Sequence, residues 1–127
     1  LTEYLKPFAV AGIRTSLFID PDMKQIDAAK QTGTACIELH TGSYAEATGH
    51  DSTELIRLQK AATYAHSLGL EVHAGHGLTY DNVVPIAAIG EIAELNIGHF
   101  LIAEAVFTGL KTTIARMRTI IQEARIT

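Results

Sequence analysis

The chain has 127 residues, 47% of them hydrophobic and 19% charged, with 14 acidic against 10 basic side chains and a formal net charge of −4. That length suffices for one hydrophobic core and points to a single domain over 1–127. The acidic balance and the lack of a clustered basic stripe argue against a nucleic-acid partner. No apolar run reaches the length of a bilayer-crossing helix and the N-terminus lacks the sections of a secretory signal, so no membrane partner is expected and a cytoplasmic location is the default reading. The chain starts at Leu1 rather than at a methionine, which makes a trimmed or partial chain an expectation. Cys36 is the only cysteine and lies in an apolar run, so it reads as a small buried residue with no disulfide partner within the chain.

Residues Leu1 to Ala11 read as a helix, with Leu1, Tyr4, Leu5 and Phe8 at helical spacing, Gly12 as its stop and Pro7 as a cause of kinking or shortening. Arg14 to Asp20 (RTSLFID) reads as a strand ended by Pro21, and Asp22 to Gln31 as a helix closed by Gly33. Ala35 to His40 (ACIELH) forms a second strand, Thr41 to about Ser52 a polar loop, and Thr53 to Leu68 an amphipathic helix closed by Gly69. Leu70 to Gly75 is the third strand, Asp81 to Ile89 a short helix interrupted by Pro85, and Glu94 to Gly98 (ELNIG) the fourth strand. Two helices follow, Phe100 to Thr108 and Leu110 to Arg125, parted by Gly109. Strands alternating with helices imply a parallel sheet with right-handed crossovers.

Strand alternation narrows the architecture further. Leu17 and Ile19, Ile37 and Leu39, Val72 and Ala74, Leu95 and Ile97 fall on one side, while Ser16, Phe18, Asp20, Glu38, His40, Glu71, His73, Asn96 and Gly98 fall on the other. A doubly wound sheet, covered by helices on both faces, favours apolar residues on both. One polar face fits the lumen of a (β/α)8 TIM barrel better, and four βα units make half of one. The chain is then either the C-terminal half of a longer protein or a half-barrel that pairs with another copy.

The stretch Leu70 to Tyr80 (LEVHAGHGLTY) concentrates the chemistry. A strand runs into His76 flanked by Gly75 and Gly77, where bare amides let a ligand approach closely and an imidazole suits general acid or base work. The fourth strand ends the same way, in Gly98 and His99, ahead of a short helix. A helix start of that kind, with Gly77 and Gly98 beside it and His99 as a further donor, suits a phosphate. Each feature also has a plain structural reading: His76 can satisfy buried backbone groups, His99 can cap the helix, and the glycines can serve turns. Glu38, His40, Glu71 and His73 read more readily as a hydrogen-bonded lumen network than as catalytic groups, with Glu38, His40 and His73 as possible substrate orienters. His50 and His66 read as surface residues.

The segments SLFIDP from Ser16, IELHTGSYA from Ile37, HAGHGLTYDNV from His73 and ELNIGH from Glu94 together resemble the C-terminal half of the pyridoxine 5'-phosphate synthase family. The resemblance covers essentially the whole chain. It implies a (β/α)8 barrel with extra helices, assembled as a homo-oligomer. It also implies condensation of 1-deoxy-D-xylulose 5-phosphate with 3-amino-2-oxopropyl phosphate to pyridoxine 5'-phosphate, inorganic phosphate and water, in vitamin B6 synthesis. His76 matches that family's catalytic proton donor, and Gly77, Gly98 and His99 match positions that bind the amino-oxopropyl phosphate. A further catalytic histidine and glutamate belong to the family's N-terminal half, so this chain by itself is expected to be inactive. The position of His73 is often asparagine in that family.

The proton transfers and phosphate handling such a reaction needs call for no metal or redox cofactor. Two other functions compete. Glu38, His40, His73 and His99 offer nitrogen and oxygen ligands for a metal-dependent sugar-phosphate epimerase. A non-catalytic half-barrel would instead act as an assembly module, its open sheet edges demanding at least a dimer.

Overall fold

The computed structural model describes residues 1–47 and 52–126. In chain order these form α1 (Thr2–Val10), β1 (Ser16–Ile19), α2 (Met23–Gln31), β2 (Cys36–His40), α3 (Gly42–Glu46), α4 (Ser52–Ser67), β3 (Glu71–Gly75), α5 (Val83–Ala87), β4 (Ile92–Asn96), α6 (His99–Thr108) and α7 (Leu110–Ile126). The strands pair in parallel in the sequential order β1-β2-β3-β4, with no reversal along the sheet.

Register explains the two faces. Leu17, Ile37, Val72 and Ile92 form one cross-sheet row and Ile19, Leu39, Ala74 and Leu95 another. Ile37, Leu39, Val72, Ala74 and Ile92 are wholly buried there, under helices. Helix α4 contributes Leu58, Ala61, Ala62 and Ala65, whose spacing makes one narrow apolar stripe. Small residues along that stripe let the helix lie close to the sheet. Each buried aliphatic side chain contributes about 1.5–3 kcal/mol by leaving water, so this face holds the fold together. The opposite face carries the row Phe18, Glu38, His73 and Glu94, and beyond it His40, Gly75 and Asn96. Among the described residues the buried aliphatic core lies on the other face, and Phe18 on this row remains 57% exposed.

Helix ends follow local chemistry. Asp22 caps α2 by accepting from the Gln25 amide, and Gly12, Gly33, Gly69 and Gly109 all take positive φ just past helix ends. Pro85 sits in the first turn of α5, where a missing N–H costs little, whereas Pro7 is accommodated inside α1. Among the described residues, no helix is long and apolar enough to cross a membrane.

Three sequence expectations need correction. The fourth strand runs over Ile92–Asn96 rather than Glu94 to Gly98, because β4 enters the ladder two residues earlier, through a register shift at Val72/His73. Gly98 is therefore the N-cap of α6 and not a strand residue, and Ile97 lies past the strand end. The segment expected as loop from Thr41 contains the short helix α3, and residues 48–51, with His50, lie outside the described residues. His66 is exposed, as expected.

Candidate active site

At the C-terminal ends of β3 and β4 a cleft of about 610 Å³ is lined by Phe18, Glu38, His76, Gly77, Asn96 and the first turn of α6, with Leu78, Thr79 and Ile97 between them. Gly77, Gly98 and His99 therefore share one cleft with His76, and Glu38 reaches it from β2.

The backbone at β3's end is unusual. His76 has φ 92 and Gly77 φ 73, so two successive residues are left-handed, one of them carrying a side chain. Gly77 also leaves no room for a methyl, since a Cβ there would come within 2.6 Å of the Ala45 Cβ on α3. Asn82 staples the turn: its Oδ1 accepts from the Thr79 amide at 2.8 Å and its Nδ2 donates to the Gly77 carbonyl at 3.1 Å. The Tyr44 hydroxyl donates in turn to the Asn82 carbonyl.

Helix α6 starts differently. Gly98 has ordinary negative φ, supplies no side-chain cap, and has open space where a Cβ would lie. No acidic residue occupies the first turn, and the first helical bond is from the Ile102 amide to the Gly98 carbonyl. The first-turn amides thus lack an intrahelical acceptor and the helix dipole is uncompensated at this end, the conditions under which an anion is attracted. Tyr80 fixes this helix start: its ring meets Phe100 edge-on at 4.7 Å, its hydroxyl donates to the Thr113 carbonyl, and the Arg116 guanidinium lies 4.2 Å from its ring centroid.

Glu38 accepts from the Asn96 amide nitrogen at 3.0 Å, and Gly75 leaves the space for this pair, because a Cβ there would meet Glu38 Oε1 at 2.5 Å and the Asn96 carbonyl at 2.6 Å. Burial is the main cause that raises the Glu38 carboxyl above the usual carboxylate range, with His73, Asn96 and His40 acting against it. The His40 ring packs against that of His76, centroids 4.7 Å apart and planes tilted by 44°, and its Nδ1 lies 3.8 Å from Asp20. His73 does not line the cleft. It is buried one layer toward the strand starts, 2.8 Å from Glu71 and 3.8 Å from Glu94. Arg14 closes this network on Glu71 at 2.5 Å, and the hydrogen bonds from Arg14 and His73 hold the Glu71 carboxyl below its ordinary range. Among the described residues, no three His, Cys, Asp or Glu side chains form a metal-holding group, so Glu38, His40, His73 and His99 do not gather into the ligand set that an epimerase would use.

Sequence reasoning passed over Thr41, Gly42, Asn82 and the Asn96 side chain. Thr41 and Gly42 read only as the start of a polar loop, and Asn82 only as a residue of the short helix from Asp81; the partners of Thr41 and of the Asn96 side chain lie across the fold.

A parallel α/β sheet that brings an imidazole, bare backbone and an open helix start to one cleft at its strand tips defines an α/β protein with an anion-suited site. A profile of the family described as "Pyridoxal phosphate biosynthesis protein PdxJ" matches residues 1–123. The chain belongs to that family. It is 59% identical to the pyridoxine 5'-phosphate synthase of Zymomonas mobilis over 97% of this chain and 50% of that protein. It is 57% identical to that of Rhodospirillum rubrum over 93% and 48%, and 52% identical to that of Roseobacter denitrificans over 98% and 52%. The chain thus spans about half the length of the curated relatives it matches.

Proposed function

We propose that this chain supplies the C-terminal half of a (β/α)8 barrel of pyridoxine 5'-phosphate synthase, which condenses 1-deoxy-D-xylulose 5-phosphate with 3-amino-2-oxopropyl phosphate. The names of the relatives and their coverage support this reading. So do the sequential order of the strands and the polar face, on which Phe18 stays exposed. The observation that carries it is the meeting of His76, Gly77, Gly98 and His99 in one cleft.

In this reading the first turn of α6, with Gly77 and His99, holds the phosphate of the amino-oxopropyl substrate, and His76 donates the proton that lets hydroxyl leave as water during ring closure. Glu38, its carboxyl raised by burial and oriented by Asn96, orients the substrate from the adjacent strand. His40 acts on substrate through its packing against His76, and His73 serves the network beneath. The remaining strands come from the rest of a longer protein or from a second copy, and the working unit is a homo-oligomer of at least two chains.

The test is His76→Asn in the protein assembled with its remaining strands, where condensation falls by about 10²–10⁴-fold. Inorganic phosphate added to the 15N-labelled chain shifts the Gly77 and Gly98 amides. A variant that turns over at the parent rate, with amides silent to phosphate, overturns the reading.

A further inference from the structure

We propose that Thr41 is the positioning residue for His76, clamping the backbone on both sides of it and thereby holding it in the left-handed conformation from which its ring lines the cleft. The inference rests on His76 being the proton donor of the preceding section.

Among the described residues His76 is the only non-glycine with positive φ, although glycine stands on either side of it. A turn shaped for stability alone would place glycine or asparagine there, since a histidine at φ 92 carries backbone strain that its surroundings must offset. The surroundings are His40, Thr41 and Gly42, where β2 passes into α3. The Thr41 amide donates to the Gly75 carbonyl at 2.9 Å and the Thr41 hydroxyl donates to the His76 carbonyl at 2.6 Å. Those two carbonyls bracket the φ and ψ of His76, so both torsions are held by one residue. Continuation of the strand ladder accounts for the first bond but not for the second. Thr41 is wholly buried, which leaves its hydroxyl no water in place of that carbonyl.

The neighbours of Thr41 brace the ring. His40 packs against His76 and is itself met edge-on by Phe18 at 5.1 Å. Gly42 makes that packing possible: a Cβ there would lie 2.5 Å from His40 Cε1 and 3.3 Å from His76 Cδ2. Backbone and ring of His76 are thus fixed by three consecutive residues 34 to 36 positions away in sequence.

The experiment uses the 15N-labelled chain. A residue with positive φ gives a strong intraresidue amide-to-Hα cross-peak. Thr41→Val, which keeps the shape and removes the hydroxyl, weakens that peak at His76 and shifts the imidazole resonances, whereas Thr41→Ser retains both. In a thermal double-mutant cycle His76→Gly raises the melting midpoint more in the Thr41 protein than in the Thr41→Val protein, because the clamp is what maintains the strain being relieved. Equal midpoint shifts in the two backgrounds, or an unchanged His76 cross-peak in folded Thr41→Val, overturn the proposal. Should Thr41→Val not fold, Gly42→Ala decides: it shifts the His76 ring resonances while the backbone cross-peak persists, and unmoved ring resonances reject the brace. None of these readouts uses turnover, so they fail independently of the proton-donor reading, which falls if His76→Asn keeps condensing.

Discussion

Gly77 and Gly98 both line the cleft, yet only Gly77 is required by its backbone, and a single methyl separates their roles. Gly77→Ala forces a side chain into φ 73 and against Ala45, so it lowers stability by about 1–3 kcal/mol in urea unfolding. Gly98→Ala meets open space at ordinary φ, so stability stays within about 0.5 kcal/mol. If the α6 start holds a phosphate, that same methyl still weakens binding, which titration with inorganic phosphate reads directly. Charge at the polar face gives a second contrast. Glu71 has a lowered pKa, chiefly through Arg14, so its contribution is present above the unfolded carboxylate pKa and is lost as pH falls through the folded one. Glu38 has a raised pKa, chiefly through burial, so its contribution is present at acid pH and is lost as pH rises through the folded value. Glu71→Gln therefore lessens the loss of stability toward acid pH, and Glu38→Gln lessens the loss on rising above the carboxylate range; urea midpoints across pH, compared with the parent, check both signs.

At the scale of elements, no residue of α6 is fully buried, and its start is held by the Tyr80–Phe100 contact together with the packing of Phe100 and Leu101 on the core. The Tyr80–Phe100 contact and the Arg116–Tyr80 contact are each worth about 0.5–1.5 kcal/mol. Tyr80→Leu removes both, and hydrogen exchange of the α6 amides accelerates about tenfold, while Tyr80→Phe keeps the stacking and most of the protection. Exchange rates equal in the two variants would mean that α6 is anchored elsewhere. The alternation of strands and helices was legible because period-2 runs such as CIELH and EVHAG end at glycine or polar residues. The frame of the fourth strand was not: Ile92, Leu95 and Ile97 offer apolar residues to either frame, and the register shift that decides between them depends on pairing with β3. The gathering of His76, Gly77, Gly98 and His99 was legible for a related reason, since the same strand-Gly-His ending occurs twice and parallel strands put both endings on one edge. Thr41 and Gly42 stayed hidden because their partners lie about 35 residues away, and no local pattern marks a residue whose task is to leave room for a ring.

For the whole molecule, the exposed apolar residues are informative because they cluster by element. Leu1, which caps α1, and Tyr4 and Val10 on it are 69%, 70% and 90% exposed, and Ile102, Val106 and Phe107 on α6 are 62%, 77% and 86% exposed. Among the described residues, strands β1 and β4 each pair with one strand only, leaving two parallel edges without a strand partner. Scattered apolar residues are normal on a surface, but helices that each present several such groups are surfaces that other protein covers. The chain as it stands should therefore associate reversibly, with a sedimentation coefficient that rises with concentration. Phe107→Glu tests the α6 contribution: a charge at an exposed site leaves the fold intact but is costly to bury at an interface, so association weakens by tenfold or more while the thermal midpoint of the dilute chain is unmoved. Sedimentation as a single monomeric species at every concentration would reject the idea that these faces require a partner, and with it the proposal that two halves must meet to complete one barrel.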